Sequence, residues 1–280
     1  MVAARLLTPA SVQSLLTEHD VRPSRALGQH FLADPNTARR IARLAGVGPG
    51  DRVLEIGPGL GSLTLALLEH GTRIVALERD RRVAAVLETV VADSGEVRLA
   101  IGDALAVDFA ALLPDGTWSC VSNLPYNVAT PVVIRLLEEA PQVDRMLVMV
   151  QREVGERLAA GPGGKDYGSV SVLVGYYADA KIVGMVPPSV FVPAPKVESA
   201  LVELVRRDAP PVDVPSPERM FSLVRAGFGQ RRKMLRQSLK GALGGDTIEV
   251  LTHAGVDPRA RAESLDLEAW AAVARAAEGA

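Results

Sequence analysis

Between Arg52 and Val150, short and almost wholly apolar runs alternate with stretches in which apolar side chains return every three or four positions. The runs Arg52 to Ile56, Arg73 to Leu77, Val97 to Ile101 and Trp118 to Val121 predict buried strands, and stretches such as Ser62 to Glu69 predict helices. Strands alternating with helices argue for an α/β fold, a parallel sheet covered on both faces. Ahead of this region, Thr8-Pro9 opens an amphipathic helix to about His19, with threonine as the cap and proline at the first helical position. Arg22 to Leu32 reads as a loop, and Asp34-Pro35 starts a helix to about Ala45.

Behind it, Gln151 to Ala160 reads as helix and Gly161-Pro162-Gly163-Gly164 as a flexible loop. Lys181 to Val186 and Val197 to Val205 read as two late strands, a hairpin-like edge pair joined by a proline-rich loop. The segment 208–217 carries four prolines and marks a linker, dividing the chain into residues 1–207 and 208–280. Beyond it every pattern is helical: Pro217 to Phe228, Arg231 to Ala242, Thr247 to Ala254 and Leu267 to Ala277.

Composition narrows the picture. A chain of 280 residues holds one large α/β domain and a small appendage. A net charge of -2 excludes a uniformly basic nucleic-acid coat, so any RNA surface is local. Arg219 to Gly245 contains no acidic residue, while Arg219, Arg225, Arg231, Arg232, Lys233, Arg236 and Lys240 are basic, with Phe221 and Phe228 among them. Two readings stand: a phosphate-facing surface that positions RNA without reading its sequence, or a solvated helix face. Arg22 and Arg25 extend the same surface on the first reading. The single cysteine, Cys120, forms no internal disulfide and suits a reducing compartment as a buried apolar residue. With no signal-peptide core and no apolar run of membrane-spanning length, a soluble cytoplasmic protein without membrane contact is expected.

The chemistry collects at strand ends. After the first strand comes Gly57-Pro58-Gly59-Leu60-Gly61, a turn in which glycines let a ligand approach the backbone. The dinucleotide spacing would put its third small residue at Ser62, with Gly61 one place early, which disfavours a dinucleotide. The second strand ends in Glu78, placed to bind ribose hydroxyls, and the third in Gly102-Asp103. The fourth leads into Asn123-Leu124-Pro125-Tyr126-Asn127. The Asn123 amide oxygen and the Leu124 carbonyl can each accept one N–H of an amine on a flat heterocycle, and the Tyr126 ring can stack on it. Pro125 biases Leu124 towards an extended conformation and so sets the direction of that carbonyl.

This series resembles the S-adenosylmethionine-dependent adenine-N6 methyltransferases, and more narrowly the KsgA-type ribosomal RNA small-subunit adenine-N6,N6-dimethyltransferases. Further stretches carry the resemblance: Leu27 to Leu32, Gln151 to Val154, Tyr167 to Ser171, Pro187 to Ser199 and Gln230 to Leu235. It implies a Rossmann-like methyltransferase sheet in residues 1–207 and a small all-helical RNA-substrate domain in 208–280. Asn123, Leu124, Pro125 and Tyr126 become the catalytic loop, and Gly57, Gly59, Glu78, Asp103, Asn123, Gln29, His30 and Leu32 the S-adenosylmethionine site. His30 stands where family members often have asparagine, so a backbone contact would survive and a side-chain contact would not. Phe191 either covers the second face of the base or packs in its loop, and Arg231, Arg232 and Lys233 face RNA. The implied substrate is two adjacent adenosines in the 3′-terminal hairpin of 16S ribosomal RNA within an immature 30S particle, acted on by a monomer without metal. The alternatives are a large-subunit RNA methyltransferase of the macrolide-resistance type and a non-catalytic RNA-binding assembly factor.

Overall fold

A computed structural model describes residues 6–24, 26–94, 96–114 and 116–278. Arg25 therefore lies outside the described residues. The chain forms two compact units, Met1–Gly155 with Ala180–Arg206, and Glu156–Asp179 with Arg207–Ala280.

The first unit opens with α1 (Pro9–Glu18), whose Thr8 cap accepts the Ser11 amide at 3.2 Å. A two-residue strand β1 (Phe31–Leu32) follows, then α2 (Pro35–Ala45), capped by Asp34 on the Thr37 amide at 2.7 Å and closed by Gly46 at φ 67°. The α/β series is β2 (Arg52–Ile56), α3 (Ser62–Leu68), β3 (Arg73–Glu78), α4 (Arg81–Val91), β4 (Val97–Ile101), α5 (Phe109–Leu112), β5 (Trp118–Asn123), α6 (Ala129–Glu139) and β6 (Val143–Gln151). Then come α7 (Arg152–Leu158), α8 (Ser169–Tyr177), β7 (Ala178–Val186), β8 (Phe191–Val192) and β9 (Ser199–Arg206).

Seven strands form one sheet in the order β4-β3-β2-β5-β6-β9-β7. The first five are parallel, and β9 runs antiparallel to β6. The late strands are adjacent as expected, but only β7 is an edge; β9 lies inside the sheet and is buried along most of its length. The chain leaves β2 in one direction through β3 and β4, then returns to place β5 on the other side. The order reverses between β2 and β5, where an open α/β sheet leaves a crevice at its carboxyl ends. A second, two-stranded sheet pairs β1 with β8: Phe31 opposite Val192, Leu32 opposite Phe191.

The second unit gathers α8 with α9 (Pro217–Gly229), α10 (Leu235–Ser238), α11 (Lys240–Leu243), α12 (Thr247–His253) and α13 (Leu267–Ala276). It includes residues 156–179, which lie well before the four-proline segment 208–217. Ser169 to Tyr177 is helical, and α8 buries Val172, Leu173 and Val174. The expected helix Arg231 to Ala242 is broken: a turn at Gln230–Lys233 precedes α10, whose Leu235 and Arg236 amides bond the carbonyls of Ala260 and Pro258. Those carbonyls lie outside the helix and replace its missing first turn. The glycine-rich loop is likewise tied down, the Gly163 amide donating to the Glu263 carbonyl at 2.9 Å.

Candidate active site

The cleft opens at the reversal between β2 and β5. Gln29, His30, Leu32, Gly57, Gly59, Glu78, Asp103 and the whole run Asn123 to Tyr126 line it, from segments far apart in the chain.

The glycine turn sits at one wall with Gly57, Gly59 and Gly61 all at positive φ (67°, 58° and 95°). A side chain at Gly57 would begin 3.1 Å from Pro125 Cδ, and one at Gly59 would begin 2.9 Å from the Phe31 ring. Glycine is thus required twice over, for dihedral and for space. Glu78, at the end of β3, is buried. Its Oε1 accepts the amides of Arg79 and Asp80 at 2.8 and 2.9 Å, and its Oε2 that of Gly59 at 3.3 Å. Burial pushes this carboxyl above its usual range, against the pull of those three N–H donors. Asp103 follows β4, with Oδ1 on the Leu105 amide at 2.9 Å and Oδ2 3.2 Å from Arg79 Nη1.

Asn123 ends β5, where its backbone is opposite Met149 of β6. Its Nδ2 donates to the His30 carbonyl at 3.2 Å, while its Oδ1 is buried and has no partner among the described residues. The His30 carbonyl fixes which way the amide points, because only NH₂ can satisfy it. The Leu124 amide is held by the Met149 carbonyl at 3.1 Å. The Tyr126 ring lies against His30, centroids 5.3 Å apart and planes at 29°, and its hydroxyl meets Ser199 Oγ at 2.5 Å.

The segment before α2 forms the facing wall. Gln29 takes the Ser24 amide on Oε1 at 2.8 Å and donates to Asp80 at 3.3 Å. His30 Nδ1 sits 2.7 Å from the Pro193 carbonyl, so that nitrogen carries the proton. Leu32 is buried and its carbonyl accepts from Ser62 Oγ. Phe191 departs from the base-covering reading: it is 3 % exposed, packed in the core beside β1, and absent from the cleft lining.

A family model described as ribosomal RNA adenine dimethylase matches residues 22–278. The chain belongs to the ribosomal RNA adenine dimethylase family. A ribosomal RNA small subunit methyltransferase A of Thermobifida fusca (strain YX) is 47% identical over 279 residues, covering 97% of this chain and 96% of its own. The protein of that name from Moorella thermoacetica is 44% identical over 280 residues, covering 96% and 97%. Among solved structures, the 23S rRNA methyltransferase ErmE superposes with a TM-score of 0.67 at 27% identity, covering 89% of this chain and 99% of its own. A dimethyladenosine transferase from Plasmodium falciparum gives 0.74 at 24% identity, covering 87% and 96%, and shares the fold.

In this family member the basic run divides by role. Arg231 donates to Glu263 at 2.9 Å and to the Lys165 carbonyl at 2.6 Å, and Arg219 to the Ala242 carbonyl at 3.0 Å. Arg225, Arg232, Lys233, Arg236 and Lys240 are exposed. The interleaved aromatics do not share that surface: Phe221 packs edge-on against Tyr176, and Phe228 edge-on against Tyr167 and tilted against Trp270.

Glu55 was not singled out from sequence. It stands in β2 between apolar neighbours, lines the cleft, is 1 % exposed, and accepts from Thr64 Oγ1 at 2.7 Å. Burial raises its carboxyl to about 8, opposed by the Thr64 bond and assisted by Glu78. A carboxylate amid an apolar strand was the available signal. Ser199 ends the proline-rich stretch in sequence, and nothing local marks it as the Tyr126 partner.

Proposed function

We propose that this chain transfers methyl groups from S-adenosylmethionine to the N6 amines of adenosines in small-subunit ribosomal RNA. The observation that carries the reading is Asn123 Oδ1, a buried acceptor at the end of β5 without a donor among the described residues. An exocyclic amine supplies the missing N–H, and leaving such an atom unpaired costs about 1–3 kcal/mol.

The cleft fits the cofactor. Glu78 uses three backbone donors and keeps acceptor capacity for a ribose diol. The glycine turn offers backbone without side chains to the methionine part, and Asp103 offers an acceptor to the adenine amine beside Arg79. Gln29, His30 and Leu32 close the facing wall. S-adenosylmethionine supplies an electrophilic methyl carbon when bound.

The chain's own residues then prepare the nucleophile. The adenine N6 lone pair is delocalised into its ring and weakly reactive. Accepting its two hydrogens at Asn123 Oδ1 and the Leu124 carbonyl favours a pyramidal nitrogen whose lone pair points out of the ring. Fixed acceptors also stabilise the positive charge that grows on nitrogen. Holding both reactants in line contributes up to about 7–11 kcal/mol. No side-chain base is needed, because the alkylated nitrogen is acidic and releases its proton to water. A base in structured RNA must be splayed out to enter such a cleft.

The small subunit is favoured over the large by the curated relatives' names at 44–47% identity over nearly the whole chain. The finer reading is two adjacent adenosines in the 3′-terminal hairpin of 16S RNA, in an immature 30S particle in the cytoplasm, with a monomeric enzyme. The exposed cations of the helical unit serve as the phosphate surface. Mass-spectrometric mapping after incubation with undermethylated small subunits tests this: N6,N6-dimethyladenosine at neighbouring positions is expected. Transfer to large subunits alone, or to neither, would overturn it.

A further inference from the structure

The proline-rich segment, with the first residue of β9 after it, reaches the cleft walls at three points. Its β8 pairs with β1, its Pro193 carbonyl accepts from His30 Nδ1, and Ser199 Oγ bonds the Tyr126 hydroxyl. Ser199 is fully buried and opens β9 opposite Gln151. Because β6 pairs both with β9 and with β5, the chain reversal sets a hydroxyl beside a tyrosine 73 residues earlier. Tyr126 is thus anchored at its hydroxyl and covered on one face by His30, so a flat ligand stacks only on the other. Burial also keeps that phenol protonated, which suits a neutral hydroxyl pair.

We propose that Ser199 and His30 are positioning residues for methyl transfer, Ser199 pinning the hydroxyl end of the Tyr126 ring and His30 setting its plane by backing its rear face. The inference rests on the proposed role of Tyr126 in receiving the adenine base. A ring free to pivot admits the base in many orientations, few of them aligned for transfer. The segment thus acts as a strap behind the site, without touching the base.

The test uses the full chain with undermethylated small subunits and compares Ser199→Ala, Tyr126→Phe, the double variant and His30→Ala. Ser199→Ala and Tyr126→Phe should each lower kcat about five- to tenfold, the scale of one lost hydrogen bond. Their affinity for S-adenosylmethionine by calorimetry should stay within about twofold of wild type, and the double variant should be no slower than either single. His30→Ala should raise KM for the particle more than it lowers kcat. A wild-type kcat in Ser199→Ala, or losses that multiply in the double variant, would overturn the proposal. If Ser199→Ala fails to fold, Tyr126→Phe decides, and a wild-type kcat there overturns it. A wild-type chain that methylates no RNA overturns the functional reading and this inference together, whereas active wild type beside equally active variants overturns the inference alone.

Discussion

The Asn123 side chain gives its amide hydrogen to the His30 carbonyl at 3.2 Å, leaving its oxygen buried and unpaired among the described residues. One end of the amide is therefore used to aim the other. Asn123→Ala should lower kcat on the order of 10²–10³-fold, the range for loss of one preorganised polar group. Filter binding should find particle affinity nearly unchanged. Equal loss of both would make Asn123 a structural residue.

Glu78 binds three backbone amides of two different loops, so its removal has two consequences. Glu78→Gln should weaken S-adenosylmethionine binding by about 10–100-fold, the value of one or two charge-assisted bonds. Glu78→Ala should also lower the melting temperature, because three N–H groups lose their acceptor. Calorimetry and a thermal scan separate the two effects, and an unchanged cofactor affinity in both variants removes Glu78 from the site.

Glu55 makes stability depend on pH in a defined direction. Its carboxyl loses its proton near 4.5 when unfolded and near 8 when folded. Between those values the folded chain holds the extra proton, so stability falls as pH rises from about 4.5 to about 8 and then levels. Glu55→Gln removes that dependence. The stability gap between variant and wild type should be small near pH 4 and widen to a few kcal/mol near pH 8. Urea titrations at both ends check it, and a gap independent of pH would contradict it.

The three consecutive cations 231–233 should behave differently. Arg231 clamps Glu263 and the Lys165 carbonyl, so Arg231→Ala should lower the stability of the helical unit. Arg232→Glu with Lys233→Glu should leave the melting temperature near wild type. That pair should instead weaken RNA binding and flatten its salt dependence by about one to two slope units, since both are exposed. Affinity measured across a salt series distinguishes the variants.

The strand ends were legible because they obey local rules. Glycine after an apolar run, and an acid or asparagine where the next runs stop, need no tertiary knowledge beyond the sheet edge. What escaped depends on distant partners. The Ser199 hydroxyl and the Tyr126 hydroxyl meet only because β9 turns back along β6. Phe191 has two readings in sequence, base cover or loop packing, and pairing of β8 with β1 carries it into the core. Phe221 and Phe228 lie among arginines in sequence, but the helix period turns them inward to Tyr176 and Trp270. The helix expected at Arg231 failed because carbonyls at 258 and 260 offered its amides better acceptors than a preceding turn.

The ladder between β1 and β8 joins residues about 160 positions apart, and it has a consequence for synthesis. A growing chain that has just emerged through Asn127 already holds the glycine turn, both acids and the asparagine. It still lacks β8, the Pro193 carbonyl that accepts from His30 and the Ser199 hydroxyl that meets the tyrosine. The wall at 29–32 is therefore completed late, only after the stretch ending at 199 has cleared the exit tunnel.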